Sequence, residues 1–177
     1  MTEGKAVPPV PDLIRPGLRL LFVGYNPGQR SGAIGHHFAG RGNHFWRLLF
    51  EAGLTPVLLT AEQDQRLLEW GIGIVNLVDR VTPGIGELSR EEMAAGGQRL
   101  RQRLTELCPR VTAFLGKNLW RATAELPAGR PVAWGWQPAL AGTTVFVAPN
   151  PSGRSTLPYA ERLEWFRVLA EAVVGSH

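Results

Sequence analysis

Cysteine is nearly missing from this chain: Cys108 is the only one among 177 residues, which rules out an internal disulfide framework and any cysteine-ligated cluster or zinc site. No apolar run approaches the ~20 residues of a membrane span. The N-terminus lacks the charged-then-apolar pattern of a signal peptide, so the expected setting is cytoplasmic, beside the bacterial nucleoid, with no membrane partner. There is no Gly-x-Gly-x-x-Gly after a strand and no Walker sequence, so a dinucleotide or nucleoside triphosphate site has no support. Neither a Ser/His/Asp nor a Cys/His arrangement is legible, and paired carboxylates are absent from the strand ends. A reaction here should therefore use a positioned water and not a protein nucleophile. Lysine is scarce as well: of the 19 basic residues only Lys5 and Lys117 are lysines. Arginine's planar fork suits phosphates and base edges, although a GC-rich genome produces the same bias.

What is present is globular. Hydrophobic content of 44% and charged content of 19% exclude disorder for the bulk of the chain, and the length suits one domain. The net charge of +4 suits a polyanionic partner. Met1 to Gly17, rich in proline and without periodicity, reads as an extended arm over a single domain spanning 18–177. Leu20 to Gly24 reads as a strand buried on both faces, and Gln29 to Gly42 as a functional loop rich in glycine, arginine and histidine. Asn43 is a plausible cap for a helix through Ala52. Thr60 with Gln63 makes a capping box for a second helix ending near Gly71. Ile72 to Val78 is a second buried strand. Ser89 with Glu92 starts a helix running to Pro109, in which Cys108 reads as a core residue. Val111 to Gly116, an edge segment at Pro131 to Trp136, and Thr143 to Ala148 complete the strands, with helices at Lys117 to Leu126 and Tyr159 to Val174. Strands alternating with helices imply a parallel sheet covered on both faces.

Two stretches share one design: LLFVGYNPG at 20–28 and VFVAPNPSGRS at 145–155 are buried strands ending in Asn-Pro and small residues. In an open α/β sheet, ligands bind beyond the carboxyl ends of the strands. Asn26 would sit at that edge on a turn made rigid by Pro27, with Gly28 allowing close approach to the main chain. His36, His37 and His44 follow; a zinc set is incomplete, and contact with phosphate or a pocket lining is preferred. Phe38 among them is either a satellite core residue or a stacking platform for a base. Asp79 is the only acid at a strand end. It could orient or deprotonate a water beside Asn26, or it could pair with Arg80 or cap its loop.

Together GYNPG at 24–28, the Phe38 loop with NHFWRLLFEAGL at 43–54, NLVDRVTPG at 76–84 and NPSGRS at 150–155 resemble the mismatch-specific uracil/thymine-DNA glycosylase family of the uracil-DNA glycosylase superfamily. The resemblance runs from about Leu20 to the final helix and leaves the first seventeen residues outside it. It implies a three-layer α/β/α fold with a short, mainly parallel sheet, no metal and no cofactor. The implied enzyme is a monomer that acts on double-stranded DNA containing U:G mismatches, cuts the N-glycosidic bond of uracil and leaves an abasic site. Asn26 would position the attacking water. Phe38 would stack on the flipped base, with Tyr25, Gly28 and Asn150 at the base site. Ser152, Gly153, Arg154 and Ser155 would form the wedge that enters the helix and its backbone contacts. Bacterial members often carry leucine where this chain has Arg154. Two other classes fit parts of the pattern: a DNA mismatch or damage-binding module that does not cut, and a metal-independent hydrolase of free nucleosides.

Overall fold

The computed structural model describes residues 9–175. Residues 1–8 of the expected arm lie outside the described residues. Five strands form one sheet: β1 (Leu20–Gly24), β2 (Ile72–Asn76), β3 (Val111–Phe114), β4 (Gly135–Leu140) and β5 (Thr143–Val147), in the order β2-β1-β3-β5-β4. All neighbours run parallel except β4, which pairs antiparallel with β5 at the edge. The helices are α1 (Gln29–Ile34), α2 (Phe45–Glu51), α3 (Arg90–Leu107), α4 (Lys117–Thr123) and α5 (Tyr159–Val174). α2 packs with α5 and α3 packs with α4, giving helical layers on a central sheet and the three-layer α/β/α architecture that the strand-helix alternation implies. The near-continuous apolar runs of β1, β2, β3 and β5 are explained by this double cover, because parallel strands buried on both faces have no polar side.

Aromatic rings dominate the core on the α2/α5 side. Phe22 of β1 meets Phe45 edge-on at 5.2 Å between centroids and stacks with Phe166 of α5 at 6.2 Å. All three are fully buried. Rings of this size each remove a large apolar area from water, and the edge-on contact adds about 1 kcal/mol beyond burial.

Several elements depart from the sequence reading. The 29–42 stretch is not all loop, since it opens with α1, whose N-cap is Gly28 and whose C-cap, Gly35, is left-handed. A helix under two turns with Gly32 inside it leaves no periodic signal to read. Residues Ala61–Trp70 form a 3-10 helix, with the Thr60 N–H donating to Gln63 Oε1 at 3.0 Å as the capping box requires. The edge strand begins at Gly135 and runs on to Leu140, with a register irregularity between Gln137 and Leu140 that accommodates Pro138 on a sheet edge. Cys108 is not a core residue: it is the exposed left-handed C-cap of α3. The segment after Pro9 is docked, with Leu13 exchanging two backbone hydrogen bonds of 2.9 Å with Ile74 and thereby covering the outer edge of β2.

Candidate active site at the carboxyl edge of the sheet

The strand order reverses about β1, since β2 lies on one side of it and β3 on the other. The crevice beyond the carboxyl ends at such a point is where open α/β sheets bind ligands. A cleft of about 1020 Å³ opens there, walled by the loops after β1, β2 and β5. Among the described residues, no aspartate or glutamate lines it, whereas Arg30, Arg41 and Arg154 do. No group of three or more His, Cys, Asp or Glu among the described residues is placed to hold a metal ion.

Asn26 stands at the end of β1, and both protons of its amide are committed. Nδ2 donates to the Arg80 carbonyl at 2.6 Å and to Thr82 Oγ1 at 2.8 Å. A carbonyl can only accept, and Thr82 spends its own proton on the Gly84 carbonyl at 2.7 Å, so the amide cannot be reversed. Its oxygen is left as the acceptor. The loop that supplies these partners is itself anchored: Arg80 makes a two-pronged pair with Glu92 at 2.8 and 3.0 Å and donates to Glu87 O at 3.0 Å. Glu92 at the same time caps α3 with Ser89.

Next to Asn26 the floor of the cleft is Gly24. Register pairs it with Asn76, the last residue of β2. A Cβ at Gly24 would fall 2.8 Å from Asn76 Oδ1 and 3.4 Å from Phe38 Cζ, so glycine leaves the room that both side chains occupy over the strand end. Phe38 stacks on Phe45 at 4.0 Å between centroids while lining the cleft, so it is both a continuation of the core and an aromatic wall. Its φ of 52° is unusual for a bulky residue and is held by a hydrogen bond from the next amide, Ala39 N–H, to Ser31 Oγ at 3.0 Å. The Asn76 amide has no hydrogen-bond partner among the described residues and faces the cleft.

The 150–155 loop forms the opposite rim. Asn150 Oδ1 accepts from Ser152 N–H at 2.9 Å, Ser152 Oγ accepts from Arg154 N–H at 3.2 Å, and Ser155 N–H donates to Ser152 O at 3.1 Å. Asn150 thus spends its oxygen on shaping the loop. Beneath it lies Arg162 of α5, only 4% exposed, whose Nη1 donates to Asn150 O at 3.3 Å and Ser152 O at 3.2 Å. Among the described residues no carboxylate pairs with it and its Nε has no partner, and burial pulls its pKa down. Gly153 rests on the Gly42 backbone so closely that a Cβ would come within 2.8 Å of Gly42 O. Arg154 is exposed, and its guanidinium reaches across the mouth to Gly84, where an added Cβ would meet Nη1 at 2.9 Å.

Tyr25, Asn26, Gly28, Phe38, Asn150, Ser152, Gly153, Arg154 and Ser155 are therefore brought to one cleft. Asp79 is not among them. It is exposed, it does not line the cleft, and Arg80 is engaged by Glu92 and not by Asp79, because the chain turns after Val78 so that the Arg80 carbonyl and Thr82, and not the Asp79 side chain, face Asn26. Of the three histidines, His37 lines the cleft, as a pocket lining requires, while His36 and His44 do not. His36 Nδ1 pairs with Asp64 at 3.0 Å, and Asp64 accepts from His37 N–H at 3.0 Å. The His37 ring lies against Pro11 O at 2.8 Å, and burial lowers its pKa. His44 packs edge-on against Tyr159, whose hydroxyl donates to Glu51 and whose pKa is pushed up to about 12 by burial and that carboxylate. These rings brace loops.

Sequence reasoning passed over Asn76, Thr82 and Trp134, which line the cleft, and Arg162 beneath its rim. Asn76 had a signal, an amide ending a buried strand beside Gly24. Arg162 had one too, lying three residues after Tyr159 and four before Phe166 on the inward face of α5.

The fold and this cleft define an α/β protein with an open cleft at the strand ends, lined by polar and arginine side chains. The sequence model of the Uracil DNA glycosylase superfamily matches residues 11–173, and the chain belongs to that superfamily. The match begins ahead of Leu20 and takes in the docked segment around Leu13. A solved structure of a candidate uracil DNA glycosylase from Methanosarcina acetivorans is similar in fold, with a TM-score of 0.65 over 93% of this chain and 96% of that one at 18% identity.

Proposed function

We propose that this chain is a uracil-DNA glycosylase of the mismatch-specific type, which extrudes uracil, chiefly opposite guanine, from duplex DNA and hydrolyses its N-glycosidic bond. The observation that carries the reading is the pinned amide of Asn26 in a cleft that has an aromatic wall and, among the described residues, no carboxylate. Its free oxygen accepts one proton of a water and fixes the direction of the water's lone pair. An amide cannot take the proton fully, so the water attacks an electrophile already formed. The C1′–N1 bond breaks with its electron pair going to uracil, the sugar becomes oxocarbenium-like, and the water oxygen then bonds C1′ and releases its proton to the departing base or to solvent. Catalysis of this kind rests on positioning and on stabilising the leaving anion.

Phe38, backed by Phe45, offers the face for stacking the base, and the Asn76 amide offers a donor and an acceptor for its edge. Extrusion costs a few kcal/mol and least for a mismatched pair, which favours U:G over U:A. Arg154 is suited to fill the vacated space, on a loop held rigid from below by Arg162. No step calls for a cofactor, and the protein works as a monomer on double-stranded DNA. The test is abasic-site formation on U:G, U:A, T:G and single-stranded uracil DNA. Cleavage with U:G fastest supports the proposal. Tight mismatch binding without cleavage would move the protein to the class of damage-binding modules, and cleavage of free deoxyuridine would make it a nucleoside hydrolase.

A further inference from the structure

A second cleft, of about 530 Å³, lies on the far side of Tyr25 between the first turns of α3, α4 and the Ile85–Leu88 stretch. It shares Tyr25, Ile85 and Gly86 with the main cleft, so a chain leaving one passes into the other over a single lip. Tyr25 makes a firm partition. Burial raises its pKa, and Gly116 packs so close that a Cβ there would sit 2.5 Å from the hydroxyl.

The second cleft has two chemical faces. Leu88, Met93 and Leu126 supply an apolar wall, and Arg90 and Arg121 supply charge, with no carboxylate among the lining residues. Arg121 uses Nε on Arg130 O at 2.9 Å and Nη1 on Asn118 Oδ1 at 2.8 Å, which fixes the fork in place while pairing it with no acid. Arg90, exposed and without an ion pair among the described residues, opens α3, whose first turn also carries Glu91 and Glu92, the latter engaged by Arg80 and the Ser89 cap. A flat apolar body joined to an anion matches these faces, and a nucleotide has that composition.

We propose that this cleft is a second nucleotide site, which holds the nucleotide adjacent to the extruded one on the same strand. Its base lies on the apolar wall and its phosphate faces Arg90 and Arg121. The proposal rests on the glycosylase reading of the main cleft, since it is the DNA strand that links the two. Its consequence is that recognition spans two unstacked nucleotides, so that the base beside the uracil contributes to binding even without a complementary strand.

The experiment uses the full chain and single-stranded pentadeoxynucleotides whose central residue is 2′-fluoro-2′-deoxyuridine, which resists glycosidic cleavage. Each neighbour is in turn a normal adenine nucleotide or an abasic spacer. Stacking of one base predicts affinity tighter by about tenfold for the base over the spacer on one of the two sides. Ala94→Trp, at an exposed lining position of α3, should fill the cleft and abolish that gain, so that base-bearing and spacer-bearing strands bind equally. Arg90→Gln should weaken binding of both strands and lower its salt dependence. Equal affinity for base and spacer on both sides overturns the proposal, as does a gain that survives Ala94→Trp. Cleavage of the matching deoxyuridine strands is read separately: its absence would count against the glycosylase activity and leave the binding result to judge the second site.

Discussion

Asn26 Nδ2 donates to Thr82 Oγ1 at 2.8 Å, and the Thr82 hydroxyl donates on to Gly84 O at 2.7 Å. This relay fixes which end of the Asn26 amide faces the cleft, and Thr82 is 2% exposed, so water cannot replace it freely. Thr82→Val keeps the shape and removes the hydroxyl. One such hydrogen bond is worth about 1 to 1.5 kcal/mol, so single-turnover excision of uracil should fall about tenfold with duplex affinity retained. Thr82→Ser should restore it.

Asp79→Asn should leave the single-turnover rate near that of the parent protein. A general base contributes ~10² to 10⁴-fold, and an exposed carboxylate outside the cleft cannot supply that. A hundredfold loss would return Asp79 to the reaction.

Gly24→Ala should abolish uracil binding with little change in Tm. The new methyl falls 2.8 Å from Asn76 Oδ1, the movable end of a side chain, so the fold adjusts at small cost while the amide is displaced from the base site. Affinity for free uracil and thermal melting, measured together, separate the two effects.

Much of this was legible beforehand because it depends on local rules. Asn-Pro after a buried strand marked both loops of the cleft, and the Ser89/Glu92 box marked the start of α3. What was illegible depends on tertiary placement. The turn after Val78 decides whether Asp79 or Thr82 meets Asn26, and no pattern in the loop's residues reports it. The α3 C-cap at Cys108 depends on a left-handed φ of 50° that sequence does not announce. The inward spacing of Arg162 on α5 was legible, but its partners, the Asn150 and Ser152 carbonyls, belong to another segment.

Arg154 is exposed at the mouth, and Arg154→Ala distinguishes a wedge from a phosphate contact. Loss of a wedge should reduce base flipping, read by the fluorescence of a base analogue opposite or beside the uracil, with the salt slope of binding unchanged. A slope lower by about one, with flipping intact, would make it a phosphate contact.

Acid stability should depend on His37. Burial lowers its pKa in the folded chain, so the unfolded chain binds the proton first as pH falls. The stabilisation is complete above the ordinary histidine pKa of about 6.5, declines as pH drops below it, and levels off under the depressed folded value. Tm against pH should show this decline. In His37→Gln the decline should be reduced, with the residual slope coming from His44, whose pKa is also lowered.

The most direct measurement is single-turnover excision on a U:G duplex by the parent protein and Asn26→Ala, with duplex affinity determined alongside. The account predicts that the variant binds the duplex as the parent does and loses at least about a hundredfold in rate, the scale of a lost positioning group at a reacting centre. Excision by Asn26→Ala at close to the parent rate would contradict it.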